Sequence, residues 1–366
     1  MSERRLVHPG AWWVWAIGLA AGALRTTNPF LLCLIVAVAG WVVVSRRSDA
    51  PWARSFASCL RLGLIVIIIR MVFQVFFGAR IPGTIVFSLP EVTLPSWAAG
   101  VSIGGTVTTE SLVAAFYQGL RLATVVACFG AATSLCSPYR MLRALPSALY
   151  EAGVAMTVAF SFAPQAIVSA RQVRDARRLR GRSDRGIRAW SGAAMPVLEG
   201  ALERSVALAA SMDSRGYGRR GDVSVPLRRL GSVLTLLGLV LVMIGSYGLL
   251  DPGAPVLFRL PAMVLAVLAF VAALLVGGRL NHRTRYRPDP WAFPEWVITL
   301  SGVAAVIGSV ISARNGDLLD PSVYPLEFPA IPLAALAGVL LASLPAWVAP
   351  LPPTALSTSQ PLAVAA

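Results

Sequence analysis

Apolar stretches of membrane-span length recur along the chain, separated by short polar breaks. They occupy residues 11–24, 30–44, 56–78, 110–135, 231–250, 260–278, 296–311 and 331–348. A helix that crosses the hydrocarbon core needs about 20 mainly apolar residues. The pattern therefore predicts an all-α membrane protein with about eight transmembrane helices. The first run follows Arg4 and Arg5 and has small residues around Ala21, as a secretory signal would. A second apolar run begins at Phe30, and the chain stays as apolar beyond it, so 11–24 reads as the first span. The segment 80–109 is rich in Gly, Pro, Ser and Thr and charged only at Arg80 and Glu91, which reads as a long loop.

Charge then gives the pattern an orientation. The mean hydropathy is +0.70. Of 366 residues 56% are apolar and only 13% charged, yet the net charge is +15. Every one of the 32 basic residues is Arg. Without lysine the chain cannot carry a Walker-type nucleotide site, a Schiff-base enzyme or a Ser-Lys dyad. Arginines gather near the N-terminus and in 45–55, 137–230 and 279–290, whereas the surroundings of Asp251 and 317–327 are acidic or nearly neutral. The positive-inside rule puts the basic loops, and with them both termini, on the cytoplasmic side of the cell membrane. Trp12, Trp13, Trp41, Trp52, Trp97, Trp291 and Trp296 stand near span ends, where indole favours the interface. Four segments result: N-terminal spans in 1–136, a cytoplasmic region in 137–230, C-terminal spans in 231–349, and an uncharged tail, 350–366, expected to be disordered.

The cytoplasmic region holds most of the charge. Residues 171–229 contain 14 arginines against six acidic residues, a net of +8. Two amphipathic helices are legible there. In the first, Ala163, Ala166, Ile167, Ala170 and Val173 form one apolar stripe. Arg171, Arg174, Arg177, Arg178 and Arg180 load its C-terminal end, where the macrodipole favours cations, and Gly181 offers a left-handed stop. In the second, Met195, Leu198, Leu202, Ser205, Ala209 and Met212 follow a 3,4 spacing that suits a crossing with another helix. Arg215-Gly216 ends it in the same fashion. An arginine on the last turn before a glycine stop projects a fixed charge, able to pair in a forked manner with an acidic groove. The plainer reading is a set of juxtamembrane arginines on anionic lipid head groups.

Ser211-Met212-Asp213-Ser214-Arg215-Gly216-Tyr217 and Ala176-Arg177-Arg178-Leu179-Arg180-Gly181 resemble the paired Ala-Arg-Gly motifs of energy-coupling factor transporter T components, the EcfT and cobalt-permease CbiQ family. His8-Pro9, Thr27-Asn28-Pro29, Leu145-Pro146 and Phe162-Ala163-Pro164-Gln165 add to the resemblance, which covers roughly residues 6 to 250. It implies a cytoplasmic pair of crossed coupling helices whose Arg-Gly ends dock into two ABC ATPase subunits. Their apolar faces, with Pro164, would pack against a membrane-embedded, substrate-binding S component. Arg180 and Arg215 would then be the docking residues, with Gly181 and Gly216 as stops. The chain itself would be non-catalytic and hold neither cofactor nor metal. The cargo, a vitamin or its precursor or a transition metal ion such as cobalt or nickel, would be set by the S component. Two departures stand out: the motif's Ala is Leu179 in the first copy and Ser214 in the second, and Arg185-Gly186 competes with the first copy. The spans beyond residue 253 exceed the resemblance.

Other signals point elsewhere and are weaker. Gly100-Val101-Ser102-Ile103-Gly104 matches a nucleophile elbow, but both histidines, His8 and His282, fall on the opposite side of the membrane, and a serine nucleophile needs its base within hydrogen-bond reach. Cys33, Cys59, Cys128 and Cys136 lie in or beside apolar runs and read as small buried hydrophobes. Gly18-x-x-x-Gly22 fits a close helix contact but is common in apolar sequences. The basic segment lacks the interleaved aromatics that stack nucleic-acid bases. Arg61, Arg70 and Glu110 stand near span ends, whereas Arg121 stands near the middle of its span and sustains the alternative of a stand-alone secondary transporter or channel.

Overall fold

A computed structural model describes residues 6–48, 51–78, 81–93, 102–181, 187–217, 225–251, 253–280 and 291–351. Arg4 and Arg5, Arg80, Trp97, Arg185-Gly186, the connection 281–290 with His282, and the tail from 352 lie outside these residues. The described chain is nearly all helix, in two compact units. One joins Met1–Met141 to Pro288–Ala366, and the other is Leu142–Arg287.

The first unit begins with α1 (Pro9–Leu24) and α2 (Pro29–Arg46). Both start with proline at the first helical position, where a missing N–H breaks no intrahelical bond. His8 Nδ1 accepts from the Gly10 N–H at 3.1 Å, and Asn28 Oδ1 from the Phe30 N–H at 3.0 Å. These caps satisfy donors that the helix cannot. A 3-10 turn, Pro51–Arg54, leads into α3 (Ser55–Phe77), which runs antiparallel to α4 (Thr109–Leu135). Small residues line that seam: Gly63 faces Ala123, Gly119 faces Ile67, and Gly130 faces Cys59. The short α5 (Pro138–Arg143) follows. Late in the chain come α10 (Phe293–Arg314), α11 (Leu333–Leu341) and α12 (Pro345–Val348).

These three late helices close the core of the first unit. Gly18 and Gly22 of α1 face Gly302 and Ala305 of α10, so the small-residue spacing is a backbone-level helix crossing. Gly308 of α10 meets Gly338 of α11 in the same manner. Trp15 is fully buried and donates its indole N–H to the Ala342 carbonyl at 2.9 Å. Leu19, Leu32, Ile35, Val42, Val43 and Ile298 are buried with it.

The segment between α3 and α4 is more than a loop. β1 (Ile85–Thr93) and β2 (Ser102–Thr108) form an antiparallel hairpin with Ile85 opposite Thr108 and Leu89 opposite Gly105. Apolar and β-branched residues on β1 and a buried Val107 on β2 supply the β-forming surface that Gly and Pro content obscured. Thr108 then caps α4 in a reciprocal box with Ser111. Glu110 is buried: its carboxylate accepts from the Thr84 N–H at 2.9 Å and the Thr84 hydroxyl at 3.1 Å, tying the loop to the start of α4.

The second unit holds α6 (Tyr150–Leu179), α7 (Ile187–Ser214), α8 (Val225–Leu250) and α9 (Leu260–Leu280). α8 and α9 form a helical hairpin in which Gly238 receives the Phe270 ring and Gly245 the Met263 side chain.

Among the described residues, seven helices are long and apolar enough to cross a membrane, and Pro9–Leu24 and Leu333–Val348 are shorter apolar helices. About eight spans were expected. The composition of the set differs at α6, which is continuous and whose first half is apolar, its arginines starting only at Arg171.

Candidate coupling site at two Arg-Gly helix ends

α6 and α7 each end on a glycine in the left-handed region. At α6 the Arg180 N–H reaches the Ala176 carbonyl at 3.2 Å, and the Gly181 N–H reaches that of Arg178 at 3.0 Å. At α7 the Gly216 N–H bonds to the Asp213 carbonyl at 2.9 Å and the Tyr217 N–H to that of Met212 at 3.0 Å. The 5→2 and 6→1 pair at α7 is a Schellman motif, which needs a left-handed residue after the last helical turn, and α6 shows the 5→2 bond of the same motif. Gly181 and Gly216 both have φ +76°. An L-residue with a Cβ pays a steric penalty there, so glycine is the residue that ends the helix in this way.

Arg180 and Arg215 are exposed and form no ion pair among the described residues. Leu179 beside the first of them is 90% exposed. Each helix end thus presents a guanidinium and, at α6, an apolar side chain to whatever approaches it.

α6 and α7 meet along a narrow line. Arg204 of α7 donates to the Ser169 hydroxyl of α6 at 2.7 Å, and Ser169 is one of two buried residues on α6. The Arg177 guanidinium lies against Gly192. Periodicity missed these residues because a polar position on a basic amphipathic helix looks like solvent-facing surface. The spacing-derived seam lies elsewhere: Met195, Leu198, Leu202, Ser205 and Ala209 are all exposed, and Met212 is half-buried. Pro164 is exposed as well. Among the described residues, the apolar stripes of both helices are exposed or half-buried.

Two of the shorter matching motifs, His8-Pro9 and Thr27-Asn28-Pro29, have structural roles in the first unit. His8 donates its backbone N–H to Glu295 Oε1 at 3.2 Å, and its ring lies 5.1 Å from that of Trp291. Thr26, Thr27 and Asn28 grip the connection between α10 and α11. The Thr26 hydroxyl donates to the Leu319 carbonyl at 2.6 Å, the Thr27 hydroxyl to Asp320 Oδ1 at 2.8 Å, and Asn28 Nδ2 to the Ala330 carbonyl at 2.6 Å. Among the described residues no group of three or more His, Cys, Asp or Glu side chains could hold a metal ion.

Among the described residues, seven helices of span length and apolar composition mark a multi-pass helical membrane protein. The model of the CbiQ family, described as cobalt transport protein, matches residues 3–225, and the chain belongs to that family. No curated protein matches it. The family match covers α1 to α7 and stops at the first residue of α8, so the helices that complete the core around α1 lie beyond it.

Proposed function

We propose that this chain is the transmembrane T component of an energy-coupling factor importer, linking two cassette ATPases to a separate substrate-binding S component. The observation that carries the reading is the pair of matched helix ends, Arg180-Gly181 and Arg215-Gly216, each exposed and each stopped by glycine at φ +76°. A rigid helix that ends in a fixed charge transmits displacement: motion of the bound ATPase moves the helix as a body rather than bending its tip. Forked pairing of each guanidinium with a carboxylate would fix both position and orientation. The open apolar faces of α6 and α7 suit a partner of membrane-protein character, and Met195, Leu198, Leu202, Ser205, Ala209 and Met212 would receive it. Hydrolysis belongs to the ATPases, because a chain without lysine has no Walker site of its own. The family description favours a transition metal cargo, with cobalt first and a vitamin as the other class.

The test is co-purification and uptake with Arg180→Glu combined with Arg215→Glu. The double variant should lose the ATPases and ATP-dependent uptake while remaining folded in the membrane. Unchanged ATPase binding and uptake would sink the assignment. The same reading expects no substrate flux through liposomes containing this chain alone, where a secondary transporter would show it.

A further inference from the structure

The first unit carries a second charged feature, deep in its membrane-spanning part. Arg121 is 12 residues into the 27-residue α4, within one residue of its middle. At 1.5 Å per residue it stands about 18 Å from the helix start. Its Nε is buried without a hydrogen-bond partner. One turn away on the same face of α4, Gln118 accepts from Arg70 of α3. Neither arginine forms an ion pair among the described residues. Gln118 and Leu122 are exposed, as are Ile69, Val72 and Phe73 around Arg70. Among the described residues, the result is one guanidinium held by a neutral amide and one, half-buried, with no hydrogen-bond partner, beside apolar side chains that face outward.

An ionised side chain at this depth is costly unless it meets a counter-charge. A lipid head group would have to sink through half of a core about 30 Å thick to supply one. Among its described residues a second copy of this chain has none near the middle of a span helix. The acidic residues of the described span helices stand toward their ends: Glu110 second in α4, Glu151 second in α6, Asp175 within five residues of the end of α6, and Glu295 third in α10. Glu110 and Glu295 are also engaged within their own unit.

We infer that Arg70, Gln118 and Arg121 form a docking site for a transmembrane helix of a partner protein that carries a carboxylate near mid-membrane. The carboxylate accepts from Arg121 and, through the Arg70–Gln118 pair, is held in a polar patch whose surroundings are apolar. Charge pairing in low dielectric makes the contact specific, and Ile69, Val72, Phe73 and Leu122 supply the surrounding packing. The inference extends the reading above, whose membrane-embedded partner would provide the helix, and its test requires no ATPase.

The full chain, labelled with a donor fluorophore, is placed in phosphatidylcholine liposomes with an acceptor-labelled Leu/Ala helix of about 23 residues. That helix carries one central Glu, and a control carries Gln. The Glu helix should associate about tenfold more strongly than the Gln helix, and Arg70→Gln with Arg121→Gln should abolish the difference. Arg121→Gln alone, should the double variant not fold, should remove most of it. Equal association of the two helices overturns the inference, as does a preference that survives in the variants. A preference that disappears when phosphatidylglycerol replaces part of the phosphatidylcholine assigns the arginines to lipid head groups and overturns it too.

Discussion

Gly302 lies so close to α1 that a Cβ there would stand 2.5 Å from the Trp15 Cα, whereas a Cβ at Gly22 would meet Ala305 at an ordinary 3.5 Å. Gly22 and Gly302 are therefore not equivalent positions in the α1–α10 crossing, and Gly18 is as tight as Gly302. Gly302→Val should cost about 1–3 kcal/mol through overpacking against backbone that cannot yield. Gly22→Ala should be close to neutral. Thermal midpoints of the detergent-solubilised protein check both, and similar values for the two variants would contradict the crossing. Cys136, one residue past the end of α4, is buried, and that burial pushes its thiol up from 9.0 to about 11 despite the nearby Arg140. The folded state holds this proton between pH 9 and 11 while the unfolded chain releases it, so this group's contribution to stability is present below pH 9 and lost as pH rises through 11. At pH 8 a water-soluble maleimide should leave Cys136 unmodified until the protein is unfolded, which mass spectrometry of the labelled peptide would read. Fast modification in the folded state would mean that the site is open.

Helix ends were more legible than helix neighbours. The Arg-Gly pairs announced left-handed stops because no other residue adopts φ +76° without steric cost, and local backbone preference needs no tertiary information. Gly216→Val should therefore fray the last turn of α7. Amides from Met212 to Tyr217 should exchange on the order of tenfold faster, at a cost of about 1–2 kcal/mol, with the rest of α7 unchanged. Protection equal to the native protein would show that the Schellman bonds of Gly216 and Tyr217 do not hold this end. The hairpin of β1 and β2 was not legible. Pro90 interrupts one strand and Gly104-Gly105 the other, and their pairing depends on Val107 and Thr108 being buried beneath the segment, a fact of packing. The α7 seam shows the reverse limit. Its spacing was read correctly as an apolar line, but spacing does not say what covers that line, and α6 touches α7 through Ser169 and Arg204 instead.

On the scale of the whole chain, α10 to α12 return to the helices with which the sequence begins. Arg46 at the end of α2 donates twice to the Ala346 carbonyl, Thr26 and Asn28 hold residues 319 and 330, and Trp15 bonds to Ala342. Deleting residues 288–366 removes these partners and uncovers Trp15 and Leu19, so the truncated chain should lose its folded first unit. Size-exclusion profiles after mild heating would show aggregation well below the temperature the full chain tolerates, and an unchanged profile would make α10–α12 dispensable. Sequence alone settled the membrane class, the approximate number of helices, the concentration of charge in residues 171–229 and the two glycine stops. Each of those depends on composition or on the conformational limits of one or two residues, which act locally. Tertiary structure decided that the last helices belong with the first, that Gly18 and Gly302 form a crossing, that Ser169 and Arg204 join α6 to α7, and that Arg121 has no counter-charge among the described residues. Those facts depend on which surfaces meet, and in a chain whose helices are apolar on nearly every face, hydrophobic pattern no longer distinguishes one neighbour from another.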